Sequence, residues 1–134
     1  MDHRQTPIAP NPSDEELQAL LDDYLFLELG SEEQQLAFDA AADLLSDAPE
    51  DCWRLIELAA TMDLTAEQIA YFAAGPVEDI LGRHGPLFID RLEAAARSQP
   101  TIGMFIAGVW RGQMSDAIWG RVLDLRDKLN IEPI

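Results

Sequence analysis

Cysteine, positive charge and long apolar runs are all scarce in this 134-residue sequence. Its one cysteine, Cys52, cannot form an internal disulfide bond, which agrees with a reducing compartment. No apolar run approaches the length of a transmembrane helix. Residues 1–5, Met-Asp-His-Arg-Gln, lack the apolar core of a signal peptide. From these absences we expect a cytoplasmic protein with no membrane contact.

Lysine and arginine total nine, against 25 aspartates and glutamates, so the formal net charge is −16. Residues 1–70 contain 17 acids and two bases, whereas residues 71–134 contain eight acids and seven bases. Such a negative field repels nucleic acid and steers a basic partner toward the N-terminal half. We therefore expect a basic protein partner and no direct nucleic-acid binding. Solubility alone is an equally good explanation of the acidic surplus.

Strand signals are absent, because the sequence shows neither alternation of period two nor an Asn-Gly or Asp-Gly turn. Helix signals are frequent instead. Predicted N-caps, each followed by apolar residues at helical spacing, are Ser13, Ser31, Thr65 and Ser115. Predicted helix breaks are Gly30, Pro49, Gly75-Pro76, Gly85-Pro86 and Pro100. The sequence predicts an all-α fold, a compact bundle of about eight short helices stacked as antiparallel hairpins.

The predicted organisation is a mobile N-terminal arm over residues 1–12, which contain three prolines, and one helical domain over residues 13–134. The acidic part of that domain is 13–70. Within the C-terminal part, the helical periodicity predicts Trp110 on an inward face. It also predicts an exposed ion pair between Glu93 and Arg97, four residues apart.

A run of residues from Ile69 to Leu125 resembles a family of small bacterial domains of unknown function. The residues that carry the resemblance are Gly75-Pro76-Val77-Glu78-Asp79-Ile80-Leu81, His84-Gly85, Ile89 to Arg97, Val109-Trp110-Arg111, Met114-Ser115-Asp116 and Trp119-Gly120-Arg121-Val122. The resemblance implies a helical fold and a bacterial or phage setting. It supplies no activity, cofactor or catalytic residue, and the acidic N-terminal half is expected to lie outside it.

The acidic half motivates the preferred functional hypothesis. Asp39, Asp43 and Asp47 recur every four residues, a rise of about 6 Å per step along one helix face. The predicted partner-binding residues are Glu32, Asp39, Asp43, Asp47, Asp22 and Asp23. We expect a non-enzymatic protein-binding module. One concrete form is an inhibitor or immunity-type protein that occludes a basic nuclease or nucleic-acid-binding partner.

An alternative hypothesis places the contact in the C-terminal half. Trp110 and Trp119 are most simply core residues, but Arg111, Arg121 and Arg126 lie close to them in sequence. A cationic patch beside aromatic surface is one interpretation of that grouping. The contact residues would be Trp110, Arg111, Trp119 and Arg121 of a small scaffold or regulatory subunit. Self-association stays open in this hypothesis.

A third hypothesis is a hydrolase or metal-dependent enzyme around Glu78, Asp79 and His84. His84 lacks the same-face ligands that a helical metal site needs, because the positions three and four residues away are apolar. Glu78 and Asp79 follow Pro76, where carboxylates interact favourably with a helix N-terminus. Cys52 has no adjacent base and is expected to be a small buried residue. We therefore expect no catalytic residue, no cofactor and no metal ligand.

Overall fold

The computed structural model describes residues 12–26 and 30–132, and within these ranges all regular structure is helical. The elements are α1 (Asp14–Leu25), α2 (Glu32–Asp47), α3 (Pro49–Ala59), α4 (Ala66–Phe72), a π-helical turn (Ala73–Val77), α5 (Glu78–Ser98), α6 (Pro100–Gly108) and α7 (Asp116–Lys128). The chain divides into two compact units, Met1–Ala59 and Ala60–Ile134. The predicted all-α class is therefore confirmed for the described part of the chain.

The predicted N-caps are confirmed. In every case the hydroxyl oxygen accepts the backbone N–H three residues further on, at Ser13, Ser31, Thr65 and Ser115. Ser13 with Glu16 and Thr65 with Gln68 form complete capping boxes, in which the third residue also accepts the N–H of the cap. These contacts satisfy N–H groups that have no partner within the helix, and so fix where each helix begins.

The first unit packs α1, α2 and α3 around a core of leucines, alanines and aromatic residues. The buried Gln34 links α1 to α2, since its Nε2 donates to the Tyr24 carbonyl at 3.2 Å and its Oε1 accepts the Gly30 N–H at 2.7 Å. The Gln34 side chain is thus used for this link and not for a capping box with Ser31. Cys52 is buried, as predicted. Residues 1–11 of the predicted arm lie outside the described residues, while Pro12 is buried.

In the second unit helical structure extends from Ala66 to Ser98, with non-helical backbone angles at His84. No loop separates two helices at the expected breaks Gly75-Pro76 and Gly85-Pro86, so the described residues form six helices and not about eight. At Pro76 the helix widens into a π-helical turn, in which the Glu78 N–H bonds to the Ala73 carbonyl. A π turn accommodates the missing N–H and the bulk of the Pro76 ring without ending the helix.

The second expected break is a kink. His84 has non-helical angles, φ −133° and ψ 26°, two residues before Pro86. Kinks of this kind are typical of proline within a helix. At the kink α5 approaches α7 closely, because a Cβ at Gly85 would lie 2.8 Å from Ile118 Cγ1. A glycine at this position permits that approach.

The remaining helices of the second unit pack against this long helix. α6 contacts α4, the π-helical turn and α5, and α7 contacts α5 and α6. Large side chains that these contacts bury completely are Phe72, Ile80, Leu81, Phe88, Leu92, Phe105 and Ile106. No helix in the described ranges has the length and apolar character needed to cross a membrane.

Candidate functional site

Asp39, Asp43 and Asp47 lie on the exposed side of α2, as their spacing predicts, and Glu32 is exposed at the start of the same helix. The opposite side of α2 carries the core residues Ala37, Ala41, Leu44 and Leu45. We call Glu32, Asp39, Asp43 and Asp47 the α2 acidic face. Successive aspartates on it are separated by about 6 Å along the helix axis, because each step of four residues rises 1.5 Å per residue.

The α2 acidic face receives no positive charge from the described part of its own unit. Among the described residues of the first unit, Arg54 is the one lysine or arginine. Its guanidinium donates to Asp14 at 2.9 Å and to Asp51 at 3.0 Å. These two hydrogen bonds raise the pKa of Arg54. Arg54 also donates to the Pro12 carbonyl at 2.9 Å. Arg54, the one described cation of the first unit, is therefore engaged between α1 and α3.

Aromatic surface accompanies the acids, a feature that the spacing argument missed. Phe38 precedes Asp39 and is 41% exposed, with its ring stacked on that of the buried Tyr24 at 5.9 Å between centroids. Phe26, immediately after α1, is also exposed. The sequence feature that could have predicted this surface is Phe38 itself, an aromatic residue next to an exposed acid and outside the apolar stripe of α2. Exposed aromatic rings are frequent anchors in protein interfaces.

The two remaining predicted acidic residues belong to α1. Asp22 is exposed and accepts a hydrogen bond from Gln18 Nε2 at 3.0 Å. Asp23 is half-buried. Both lie within the first unit, so the predicted acidic set is carried by α1 and α2 together. The two aspartates differ in access, and Asp22 is the one that a partner can reach more readily.

Trp110 is 68% exposed, so the prediction that it faces inward is wrong. The physical reason is that α6 ends at Gly108, and the helical periodicity used for the prediction does not extend to Trp110. Trp110 belongs instead to the link between α6 and α7. We call residues 109–115 the Trp110 loop.

Glu78 fixes the backbone of the Trp110 loop. Its Oε1 accepts the Trp110 N–H at 2.8 Å. Gly112 has φ +51°, and a Cβ there would lie 3.0 Å from Glu78 Oε2, so both the conformation and the space favour glycine. Met114 is buried and its N–H bonds to the Arg111 carbonyl at 2.9 Å. The exposed indole is thus carried by a backbone held against α5.

The arginines near Trp110 do not assemble into a cationic patch. Arg111 pairs with Asp116, and Arg121 pairs with Asp90 and Glu93. Arg126 is buried and its guanidinium lies over the half-buried Trp119 ring, 5.3 Å from the centroid. Of the alternative contact residues, Trp110 and Arg111 are exposed, whereas Trp119 and Arg121 are half-buried.

Glu78 has a structural role that can be tested. We expect Glu78→Ala to lower the free energy of unfolding by about 1–2 kcal/mol, because the Trp110 N–H loses its charged acceptor. Backbone amide relaxation measured by NMR should show increased motion in residues 109–113. Glu78→Gln retains an acceptor oxygen and should keep the loop close to its original order. Unchanged relaxation in the alanine variant would contradict this role.

The three residues of the enzyme hypothesis, Glu78, Asp79 and His84, have different roles in the structure. Glu78 holds the Trp110 loop, and His84 is half-buried at the kink with its ring 6.5 Å from that of Phe88. Partial burial raises the pKa of Asp79, the neighbouring Glu78 raises it further, and Arg83 lowers it. Within the described ranges there is no group of three or more His, Cys, Asp or Glu side chains positioned to hold a metal ion.

By its fold this chain is a small all-α protein. It belongs to the family of unknown function DUF6869, whose family model matches residues 28–129. The match begins well before residue 69, so the expectation that the acidic half lies outside the family is wrong for residues 28–70, which include α2 and its acidic face, whereas α1 lies outside the match. No curated protein matches this chain, and no solved structure matches it.

Proposed function

We propose that this chain is a protein-binding module that holds a basic protein against the α2 acidic face. The observation that carries the proposal is that no described cation of the first unit compensates the charge of this face. Asp39, Asp43 and Asp47 are exposed, and the one described cation of their unit is engaged by Asp14 and Asp51. A row of carboxylates that receives no counter-charge from the described residues of its own unit attracts a partner that supplies lysine or arginine.

The exposed Phe38 gives the proposed interface an apolar anchor. Charge alone speeds encounter and selects partners, while buried aromatic contacts supply much of the affinity of a typical interface. Phe38 immediately precedes Asp39 and is about 100° away from it around the helix, so a partner that extends from the α2 acidic face toward α1 would cover its ring. An inhibitor that occludes the basic surface of a nuclease or nucleic-acid-binding protein is the concrete form we favour.

The proposal is tested by neutralising the face without changing its shape. The test variant is Asp39→Asn, Asp43→Asn, Asp47→Asn. The control removes the same charge from exposed acids of the second unit, by Asp63→Asn, Glu67→Gln, Asp127→Asn. Each protein is immobilised, a nuclease-treated bacterial lysate is passed over it, and the affinity of a retained basic protein is then measured after purification over a range of salt concentrations.

We expect the test variant to bind the basic protein more weakly, with a smaller salt dependence, while the control variant binds like the original. Equal losses in both variants would assign the binding to net charge alone and contradict a specific face. Phe38→Ala should weaken binding with little change in the salt dependence, because it removes apolar contact and no charge.

A second candidate function is favoured by the exposed Trp110. A tryptophan carried on an ordered loop loses little conformational entropy when it is buried by a partner, and tryptophan is enriched among interface anchors. In this alternative the chain is a scaffold or regulatory subunit that binds through the Trp110 loop. Trp110→Ala, and alanine at Arg111 and Arg121, should then weaken assembly measured by sedimentation, whereas the α2 variants should leave it unchanged. The reverse pattern would reject this alternative.

A further inference from the structure

The second unit contains an open groove of about 530 Å³ between the end of α5, one side of α6 and the segment that follows α7. Its lining residues are Ala96, Arg97, Ser98, Pro100, Gly103, Met104, Ala107, Leu129, Ile131 and Glu132. The volume lies within the usual range for small-molecule sites, about 300–1,000 Å³. Most of the lining is apolar, and Met104 is 44% exposed within it. The groove can therefore shield the apolar part of a ligand from water.

Arg97 distinguishes this groove from the rest of the surface. Every other lysine and arginine that the structure describes has a hydrogen bond, an ion pair or a ring contact. Arg97 has none among the described residues. The predicted pair with Glu93 does not form, because Glu93 bonds to Arg121 instead. In a chain with 25 acids, the one described cation without a partner thus lies at the edge of an apolar groove.

The charges of the lining also restrict the ligand. A guanidinium pairs well with a carboxylate, because two of its N–H groups match the two oxygens. Glu132 lines the same groove and would repel a second negative group. The lining therefore fits a molecule with one carboxylate and an uncharged apolar body better than a multiply charged anion.

We propose that this groove binds a fatty acid, with its carboxylate at Arg97. The hydrocarbon chain then lies along α6 over Met104 and Ala107, with Leu129 and Ile131 on the opposite side. All residues of this groove belong to the second unit, whereas the α2 acidic face belongs to the first.

The test uses the full chain and three probes of equal chain length: decanoate, decanol and decylammonium. Binding of decanoate is followed by the NMR signal of a ¹³C label in its carboxyl group. Methyl signals of Met104 and Ile131 report on all three probes. We expect saturable binding of decanoate and about tenfold weaker binding of decanol, because decanol lacks the ion pair with Arg97. Decylammonium should also bind more weakly than decanoate, because Arg97 repels its head group.

Two variants separate the head-group contact from the apolar contact. Arg97→Gln should reduce the affinity for decanoate to that for decanol and leave decanol unchanged. Met104→Asp, at an exposed position that tolerates a polar side chain, should weaken the binding of both. Lys128→Gln is the control, because it removes a positive charge outside the groove. Equal affinities for decanoate and decanol, or a decanoate affinity that Arg97→Gln does not alter, would overturn the proposal.

Discussion

Replacing Gly108 with valine should lower the free energy of unfolding by about 3 kcal/mol, the upper part of the range for overpacked cores. Gly108 is the last residue of α6 and is buried. A Cβ at this position would lie 2.8 Å from Ala73 Cβ and 3.4 Å from Ala70 Cα. Neither neighbour is the end of a flexible side chain, so the added atoms can be accommodated only by moving α6 away from α4 and the π-helical turn.

The measurement is urea-induced unfolding followed by circular dichroism, with Gly120→Val as the matched control. Gly120 lies within α7, is exposed, and has nothing within 4 Å of its ideal Cβ position. The control should change the free energy of unfolding by less than about 0.5 kcal/mol, since valine is a slightly better helix former than glycine and meets no neighbour. If both variants lose equal stability, the close approach at Gly108 is not responsible.

Replacing Arg126 with methionine should cost about 3 kcal/mol of stability. Arg126 is only 8% exposed, and its Nε donates to the Ile106 carbonyl at 3.0 Å while a terminal nitrogen donates to the Val109 carbonyl at 2.6 Å. Carbonyls at the end of a helix lack partners within it, and a buried one left without a hydrogen bond costs about 1–3 kcal/mol. Methionine keeps much of the packing but donates to neither carbonyl, and the contact with Trp119 loses its charge.

Arg126→Lys tests whether charge or geometry matters more. One ammonium group cannot reproduce the two donors of the guanidinium at both carbonyls, so we expect an intermediate loss of stability. Arg111→Met is the control, because Arg111 is exposed and pairs with Asp116 on the surface. That change should have little effect on the unfolding midpoint. A midpoint for Arg126→Met equal to that of Arg111→Met would contradict a capping role for Arg126. Burial lowers the pKa of Arg126, but arginine remains protonated at neutral pH.

The features that sequence reasoning predicted well are local ones. Ser13, Thr65 and Ser115 cap helices because a hydroxyl and an N–H three residues away meet whenever the chain begins a helix. Gly75-Pro76 and Gly85-Pro86 were predicted to end helices because their intrinsic preferences oppose one. The structure instead changes the local helix geometry at these positions, with a π-helical turn that packs against α6 and a kink at His84 in α5, which packs against α6 and α7.

In the candidate surfaces, too, local features could be predicted from the sequence and features that depend on tertiary contacts could not. The exposure of Asp39, Asp43 and Asp47 follows from their period on α2, whose apolar residues lie on the other side. The exposure of Trp110 depends on where α6 ends. The freedom of Arg97 depends on Arg121 reaching Glu93 from α7, a contact between residues 28 positions apart. Spacing within one helix contains no information about such a competitor.

The three tryptophans lie in three different environments, which gives the chain its own set of optical reporters. Trp53 is buried in the first unit, Trp119 is half-buried beneath the Arg126 guanidinium, and Trp110 is mostly exposed. Their emission should therefore be a sum of a blue-shifted and a red-shifted contribution. A soluble quencher such as acrylamide should remove the red-shifted light first. A partner that covers Trp110 would protect the red-shifted emission from quenching, whereas one that covers only Asp39, Asp43 and Asp47 would not.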